Sequence, residues 1–515
     1  MMDERDDVFD SKITLHDRHR FEIKLDMDLG ASSRTVYELE SYFFVPRSLN
    51  IAPGTYTKDD FYNSNQRYIR FKTPRISLSK LWDPGLPASP LNRARKSLAD
   101  ILSGSQEPEL IDSVYEELKL LGCVIKGEIR DHARAFISEL EACSARGEGG
   151  GRMFDGEGFS AFLADLRKLV DEVHSLKAGI MDPVVPVRLK ETYKFLDEYL
   201  SLTIEEHLAP PLAALRGCSH QPGGPSELEK VLTELVFSQG RYRSAMGYPS
   251  VLRAGDTNEV LIYRRGVLKK FISSVLYLKT EVDEWQAATQ VVLGLAAGVA
   301  MLFAAMAAIY AQNRYTMNSV PFVAVIVVSY VFKDRIKDWL KLLFSRNLTR
   351  WFSDREIKIL DPIDSKKIGV LKEAFTFISE KDVPPDIARL RSIDNITSVD
   401  EDGKPERVFK YKKEIALYPG KILKTHSRRK DLNDIMRFNV KEFITQADDS
   451  SVDYLYADPG TGSIRPVPCA RVYHMNLIIK YSYAAARGQD KVHYDRIRIV
   501  LNKEGLVRME EVRAV

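Results

Sequence analysis

VVLGLAAGVAMLFAAMAAIY, the stretch from Val291 to Tyr310, contains no charged residue in its 20 positions. As an α-helix rising 1.5 Å per residue it would measure about 30 Å, which is the thickness of one bilayer hydrocarbon core. The alternative is a buried helix of a soluble domain, but such helices seldom remain apolar on every face over this length. The stretch therefore predicts a transmembrane helix.

A second apolar run, SVPFVAVIVVSYVF, follows a short polar loop and covers the 14 residues from Ser319 to Phe332. Its valines do not favour a strand here, because an isolated strand cannot satisfy its backbone hydrogen bonds in lipid. We therefore expect a two-helix transmembrane hairpin with spans at 291–310 and 316–332. Because the second run is short, a re-entrant segment is its main alternative.

Basic residues orient the predicted hairpin. The tip holds only Arg314, whereas the second run is followed by Lys333, Arg335, Lys337, Lys341, Arg346 and Arg350. An excess of Lys and Arg marks the cytoplasmic side, and an even number of crossings returns the chain to that side. We expect an integral protein of a bacterial inner membrane, with the lipid bilayer as a partner and both termini cytoplasmic.

Side chains suited to the membrane–water interface border both spans. Tryptophan and tyrosine rings prefer the headgroup layer, and basic residues follow the second span. The predicted interface residues are Trp285, Tyr310, Tyr315, Lys333, Arg335, Trp339 and Trp351. Within the first span, the small residues Gly294, Gly298 and Ala304 predict close helix packing, against either the second span or another subunit.

The segments flanking the hairpin carry heptad-like apolar patterns. Before the first span, apolar residues recur in steps of three and four at Leu268, Phe271, Val275, Leu278, Val282 and Trp285. Ile336, Trp339 or Leu340, and Leu343 continue a similar stripe after the second span. The pattern predicts an antiparallel helical stalk with coiled-coil packing. Two alternatives remain: each helix packs on its neighbouring domain, or Lys333–Phe352 lies on the inner leaflet as an amphipathic helix.

The soluble parts predict an α+β multidomain membrane protein. We expect a strand-rich cytoplasmic region over 1–105, a helical bundle over 106–256, the stalk and hairpin over 257–352, and a mostly antiparallel α+β domain over 353–515. A helix is expected at 364–381, and a short helix with a threonine cap within residues 55–71. The N- and C-terminal strands can share one antiparallel sheet domain, because chain ends are often close.

Composition and motifs point to no reaction. The net charge is only +3, so nucleic acid is not expected as a partner, and the acidic start MMDERDDVFD has no apolar core of a cleaved signal. P-loop, HExxH, GxSxG and paired CxxC motifs are absent. The pairs His16/His19 and Cys218/His220 are poor metal sites by themselves, so we expect no cofactor and no metal.

One basic cluster is dense enough to contact an anion. Lys424, Arg428, Arg429 and Lys430 lie within seven residues of one another. Near a membrane each basic residue would contribute about 1 kcal/mol of attraction to anionic headgroups. Contact with a nucleotide or nucleic-acid phosphate and a plain solvated loop are the alternatives.

Taken together, the pattern favours a membrane-anchored cytoplasmic binding, scaffold or signalling protein of unknown ligand. Two large soluble regions are joined by one hairpin whose spans contain no ionisable residue, unlike the spans of transporters. The first alternative is an oligomeric pore-forming or membrane-disrupting assembly built from the hairpins. The second is a membrane-tethered enzyme with an unrecognised site. We expect a homo-oligomer or a protein partner in the leading interpretation.

Overall fold

The computed structural model describes the following residues: 11–29, 34–105, 107–145, 156–218, 226–284, 286–316, 319–351, 353–362, 365–393, 406–426, 431–484 and 490–512. The described part of the chain is α+β, as expected, with 13 α-helices and 14 strands. It divides into two compact units. Phe71–Tyr277 forms a helical unit, and Met1–Arg70 with Leu278–Val515 forms a sheet unit.

The helices, numbered in chain order, are α1 Lys58–Ser64, α2 Leu78–Leu81, α3 Pro90–Leu102, α4 Pro108–Ala145, α5 Glu157–Ile180, α6 Val187–Cys218, α7 Glu227–Ala245, α8 Glu259–Ser273, α9 Gln286–Arg314, α10 Val320–Trp351, α11 Pro385–Ser392, α12 Pro419–Thr425 and α13 Lys441–Ile444.

The strands are β1 Ser11–Asp17, β2 Arg20–Met27, β3 Thr35–Pro46, β4 Asn65–Phe71, β5 Lys279–Glu284, β6 Arg355–Leu360, β7 Lys367–Ile378, β8 Glu406–Leu417, β9 Leu432–Asn439, β10 Ser451–Ala457, β11 Ile464–Ala470, β12 Tyr473–Ala484, β13 Asp490–Asn502 and β14 Gly505–Glu511.

The sheet unit is built on an eight-stranded sheet with the order β14-β13-β12-β3-β8-β7-β6-β5. All its neighbouring strands pair antiparallel. The N-terminal strand β3 lies between the C-terminal strands β12 and β8, with Phe43 opposite Leu477 on one side and Phe409 on the other. The expected sharing of one sheet by both ends of the chain is therefore observed.

A second sheet, with the order β1-β2-β9-β4, contributes the other half of the sheet unit's core. Aromatic rings fill the space between the sheets: Phe43 stacks on Phe409 at 4.5 Å and contacts Phe438 of β9 at 5.4 Å. Phe61 of α1 stacks on Phe375 at 4.6 Å. Within the segment 55–71, where a threonine-capped helix is expected, Thr57 and Asp60 form a reciprocal capping box at the start of α1. The rest of that segment, Asn65–Phe71, is the strand β4.

A buried ion pair joins the two sheets inside this core. The ammonium of Lys413 on β8 lies 2.6 and 2.5 Å from the carboxylate oxygens of Asp434 on β9, and both side chains are buried. Burial lowers the pKa of Lys413, and the neighbouring Asp434 opposes that shift. The pair therefore satisfies charges that would otherwise be unpaired in an apolar core.

The predicted helix at 364–381 is wrong, because most of this segment is β7. Its residues pair with β6 on one side and β8 on the other, for example Leu371 with Ile357 and with Ile415. The β8 partner is 44 residues away in sequence, so the local apolar spacing of this segment could not reveal it. Gly369 also suits a strand here, since an added Cβ would lie 2.8 Å from the carbonyl oxygen of Ala416.

The predicted stalk is also wrong on its first arm. Helix α8 ends at Ser273, and Lys279–Glu284 forms β5 at the edge of the large sheet. Leu278 and Val282 therefore belong to an extended segment, and Trp285 lies outside the described residues. On the second arm α10 does continue beyond Phe332 to Trp351. Pairing with β6 supplies the backbone hydrogen bonds that a helix would otherwise have supplied.

The helical unit contains α2 to α8, with α4 packed along α6 and both packed on α8. Gly122 marks the closest approach of α4 to its neighbours. A Cβ added there would lie 2.9 Å from both Ile272 Cγ2 of α8 and Leu196 Cδ1 of α6. The compact units divide the chain differently from the four expected regions, since α3 belongs to the helical unit and the hairpin to the sheet unit.

We predict that Lys413→Met lowers the free energy of unfolding by about 3–5 kcal/mol, because it removes the ammonium that binds both carboxylate oxygens of the buried Asp434. The double variant Lys413→Met/Asp434→Leu should recover most of the loss. Denaturant unfolding of the detergent-solubilised chain measures both. The matched control is Lys503→Met, which removes an exposed partner of Asp449 and should have a much smaller effect. Equal effects of the two lysine variants would contradict the prediction.

Candidate functional site

The strongest candidate site is the helical hairpin formed by α9 and α10. It is inserted between β5 and β6, and these strands pair from Lys279 opposite Leu360 to Glu284 opposite Arg355. The two helices pack on each other and are joined at residues 315–319. With 29 and 32 residues they measure about 43 and 48 Å. Both ends of the hairpin therefore return to one edge of the large sheet.

Small side chains form the contact between the two helices. Ala296, Ala300 and Ala311 of α9 are fully buried, at 0%, 1% and 0% exposure. Ser329 of α10 is buried too, and its hydroxyl donates a hydrogen bond to the carbonyl of Ile326 at 2.8 Å. Small residues at such a contact let two helix backbones approach closely.

Large apolar side chains point outward from the same helices. The exposed ones are Leu295, Val299, Met301, Leu302, Phe303, Met306, Ile309 and Tyr310 on α9, and Val320, Val323, Val327, Val328, Tyr330, Val331 and Phe332 on α10. A helical hairpin in water would bury its largest apolar residues and expose polar ones. This hairpin has the reverse arrangement.

By length and composition, one helix of the described chain is suited to cross a membrane, Gly294–Arg314. Only a small share of that segment is buried within the protein. The apolar part of α10 ends earlier, because Lys333 and Asp334 follow Phe332 directly.

The predicted helix-packing residues lie on two different faces of α9. Gly294 and Gly298 are exposed, and a Cβ added to either would have nothing within 4 Å. Among the described residues, then, neither glycine has a neighbour that an added Cβ would meet, and their packing against the second span or another subunit stays a prediction. Ala304 is half-buried, on the side of Ala300. The fully buried small residues of this part of α9 are Ala296 and Ala300.

Where they are described, the predicted interface residues lie near the tip of the hairpin and along the middle of α10. Tyr310 and Tyr315 are exposed near its tip, and Trp339 is exposed on α10. Lys333 lies with its ammonium 3.6 Å from the centre of the Tyr330 ring, and Arg335 is exposed. Trp285 and the side chain of Trp351 lie outside the described residues.

The basic cluster near residue 424 is only partly described. Lys424 is exposed at the end of α12, and Arg428, Arg429 and Lys430 lie outside the described residues. Next to them, His426 is buried, with its Nε2 atom 2.7 Å from a carboxylate oxygen of Asp361.

A polar cluster in the helical unit was not anticipated from the sequence. Asp197 of α6 is buried and accepts hydrogen bonds from the hydroxyls of Tyr248 at 2.6 Å and Tyr242 at 2.8 Å. His174 of α5 places its Nε2 atom 3.0 Å from the same carboxylate and remains partly exposed. The partners are 23 to 51 residues away in sequence, so no local motif predicts these contacts.

Hydrogen bonding keeps Asp197 ionised. Burial by itself would raise the pKa of Asp197, but the hydrogen bonds from His174, Tyr248 and Tyr242 outweigh it and lower the pKa below its ordinary value. Burial and the neighbouring carboxylate raise the pKa of both tyrosines. The hydroxyls therefore stay protonated donors, and the cluster holds α5, α6 and α7 together through one shared acceptor.

The described residues contain no group of three or more His, Cys, Asp or Glu side chains arranged to hold a metal ion. His16 is exposed and His19 half-buried beside the β1–β2 turn, while His220 and the side chain of Cys218 lie outside the described residues. The chain matches no protein-family model, no curated protein and no solved structure.

We predict that Asp197→Asn lowers the free energy of unfolding by about 2 kcal/mol at pH 7, because buried donors lose a charged acceptor. The folded pKa of Asp197 is lower than the unfolded one, so its ionised form stabilises the fold above the unfolded pKa. That stabilisation is lost as the pH falls through the folded pKa. The difference from wild type should therefore shrink below about pH 4.

Unfolding curves of the two proteins at several pH values measure this effect. The control is Asp171→Asn, which changes an exposed aspartate of the same helical unit. A difference for Asp197→Asn that does not depend on pH would contradict the prediction.

Proposed function

We propose that this protein is a membrane-anchored cytoplasmic protein that binds a partner or ligand, in a scaffold or signalling role. The hairpin of α9 and α10 would be its anchor, and the helical and sheet units its binding parts. The observation that carries the proposal is the reversed packing of the hairpin, with alanines inside and large apolar side chains outside.

Lipid is the environment that this arrangement fits. The exposed apolar side chains of α9 and α10 form a continuous surface, which water would penalise and hydrocarbon would accept. Within lipid the hydrophobic effect no longer drives two helices together, so close contact through alanine and serine takes its place. The helical backbones satisfy their own hydrogen bonds along both segments.

The pairing of β5 with β6 supports a two-crossing topology. Glu284 and Arg355 are opposite each other in the sheet, so the chain must leave and return on the same side of any bilayer. Strand β3, before the hairpin, pairs with β8 and β12, after it. The cations beginning at Lys333 favour the cytoplasm for that side.

A binding role is favoured over transport by the distribution of charge. No Asp, Glu, Lys, Arg or His lies between Val291 and Tyr310 or between Ser319 and Phe332. Transport pathways need such groups within the membrane. The two compact units hold most of the chain and carry its charged residues, so recognition would take place there.

We predict that Phe303→Asp prevents stable insertion of the hairpin. Phe303 is 37% exposed on α9, so a soluble hairpin would tolerate the change. A carboxylate at the centre of a spanning helix costs about 3 kcal/mol, or roughly a hundredfold in the insertion equilibrium. The measurement is the fraction of full-length protein that stays in the membrane pellet after alkaline carbonate extraction.

The matched control is Phe237→Asp, which alters a phenylalanine of α7 that is 58% exposed. This variant should remain in the pellet with the wild-type protein. Release of the wild-type protein by carbonate would contradict the anchor proposal. Equal retention of both aspartate variants would do the same.

The outward position of Gly294 and Gly298 favours, as a second proposal, an oligomer whose α9 helices meet through these glycines. In this proposal the hairpins of several copies assemble side by side, which is also what a membrane-disrupting assembly would require. The absence of ionisable residues in the two apolar runs favours a dry contact between copies over a water-filled pore.

We predict that Gly294→Ile and Gly298→Ile, which fill the glycine face, lower the mass of the detergent-solubilised protein measured by light scattering. Gly240→Ile on α7 is the control, since a Cβ added at Gly240 also has nothing within 4 Å. A wild-type protein that is already monomeric, or variants of unchanged mass, would exclude contact through these glycines.

A further inference from the structure

The first turn of α8 and the loop before it expose an apolar group of side chains. Leu252 is 67% exposed, and Val260, Ile262 and Tyr263 are 61%, 61% and 74% exposed. The rest of α8 follows the ordinary rule, because Leu268 and Ile272 are fully buried against the helical unit. The exposed group is therefore a local departure and not a loosely packed helix.

Cations follow this apolar group directly along the same helix. Lys269 and Lys270 are exposed and, within the described part of the chain, neither ammonium has a carboxylate within ion-pair distance. Arg265 lies one turn earlier and pairs with Glu206 of α6. We call the set Leu252, Val260, Ile262, Tyr263, Arg265, Lys269 and Lys270 the α8 surface.

The positive charge extends from α8 onto α4. Burial lowers the pKa of Lys126 on α4, and nearby Lys269, Arg265 and Arg130 lower it further, against the opposing effect of Glu206. Of these cations, Arg265 pairs with Glu206 and Arg130 pairs with Asp131. Acidic residues border the surface at its other end, at Asp256 and Glu259.

An anionic lipid surface complements this combination better than other polyanions do. Nucleic acid would pair with the cations but would leave four large apolar side chains in water. Protein segments that rest on a bilayer combine exposed apolar residues with Lys and Arg, because headgroups and acyl chains lie side by side there. The position of α8 in the chain also favours a membrane contact, since Lys270 precedes Gln286, the first residue of α9 in the proposed anchor, by only 16 residues.

We propose that the α8 surface is a second membrane contact, which rests on anionic phospholipid headgroups. Leu252, Val260, Ile262 and Tyr263 enter the headgroup layer, and Arg265, Lys269 and Lys270 bind lipid phosphates. This proposal rests on the membrane location proposed above. It gives the helical unit a defined orientation on a bilayer that carries negative charge and none on a neutral one.

A fluorescent probe at Ile262 tests the contact in the full-length protein. Ile262→Cys is labelled with an environment-sensitive nitrobenzoxadiazole group, with Cys143, Cys218 and Cys469 replaced by serine. The protein is placed in nanodiscs of phosphatidylcholine alone or mixed with phosphatidylglycerol. We expect blue-shifted and several-fold stronger emission only with phosphatidylglycerol, and loss of that response in Lys269→Glu/Lys270→Glu.

The matched control is a probe at Val187→Cys, because Val187 is 67% exposed at the start of α6 in the same unit. Its emission should be the same in both lipids. Equal emission of the Ile262 probe in both lipids, or an unchanged response in the double glutamate variant, would overturn the proposal.

The anchor and the α8 surface can fail separately. If the protein resists carbonate extraction and the Ile262 probe does not respond to phosphatidylglycerol, the anchor proposal stands and the proposal for the α8 surface is wrong. If carbonate releases the protein, but the protein floats with phosphatidylglycerol vesicles and detaches in high salt, the anchor proposal is wrong and the proposal for the α8 surface stands.

Discussion

The antiparallel pairing of β5 with β6 is the constraint on which the arrangement of this protein depends. It holds Glu284 opposite Arg355 and so ties both ends of a hairpin of more than 60 residues to one sheet edge. Neighbouring strands lie about 5 Å apart, so the first helix must leave the sheet and the second must return to it from nearly the same point. The hairpin is inserted between the edge strand β5 and its neighbour β6, so it does not interrupt the pairing of the other strands of the sheet.

The hairpin and the rest of the two compact units distribute polar and apolar side chains in opposite ways. The units bury charge only with partners, as Lys413 does with Asp434 and Asp197 with its three donors. The hairpin instead exposes large apolar side chains along both helices and buries alanines. Since one chain must satisfy both patterns at once, water around the units and hydrocarbon around the hairpin account for the whole more simply than water alone.

The sequence predicted features with a strong local signal. Two apolar runs predicted the helices α9 and α10, a capping threonine predicted the start of α1, and alternating segments at both ends predicted a shared sheet. It failed at β5 and β7, where pairing with β6 across the hairpin and with β8 overrode a local helical pattern. It missed the Asp197 cluster for the same reason. Helix faces were also hard to assign: Gly294 and Gly298 lie outside, and Ala296 and Ala300 form the contact.

For the hairpin as the proposed membrane anchor, the unequal apolar lengths of the two helices would limit its position in a bilayer. Leu302 lies 12 residues before the end of α9 at Arg314, and Phe332 lies 12 residues after the start of α10 at Val320, so the two are roughly level. Below that level α9 stays apolar to Val291, while α10 turns charged at Lys333. The apolar part of α10 measures about 20 Å, less than a hydrocarbon core of about 30 Å. Long cationic side chains and local thinning of the bilayer can absorb such a mismatch. Lys333 already lies along the ring of Tyr330, toward the apolar side, so the short second span is compatible with a complete crossing.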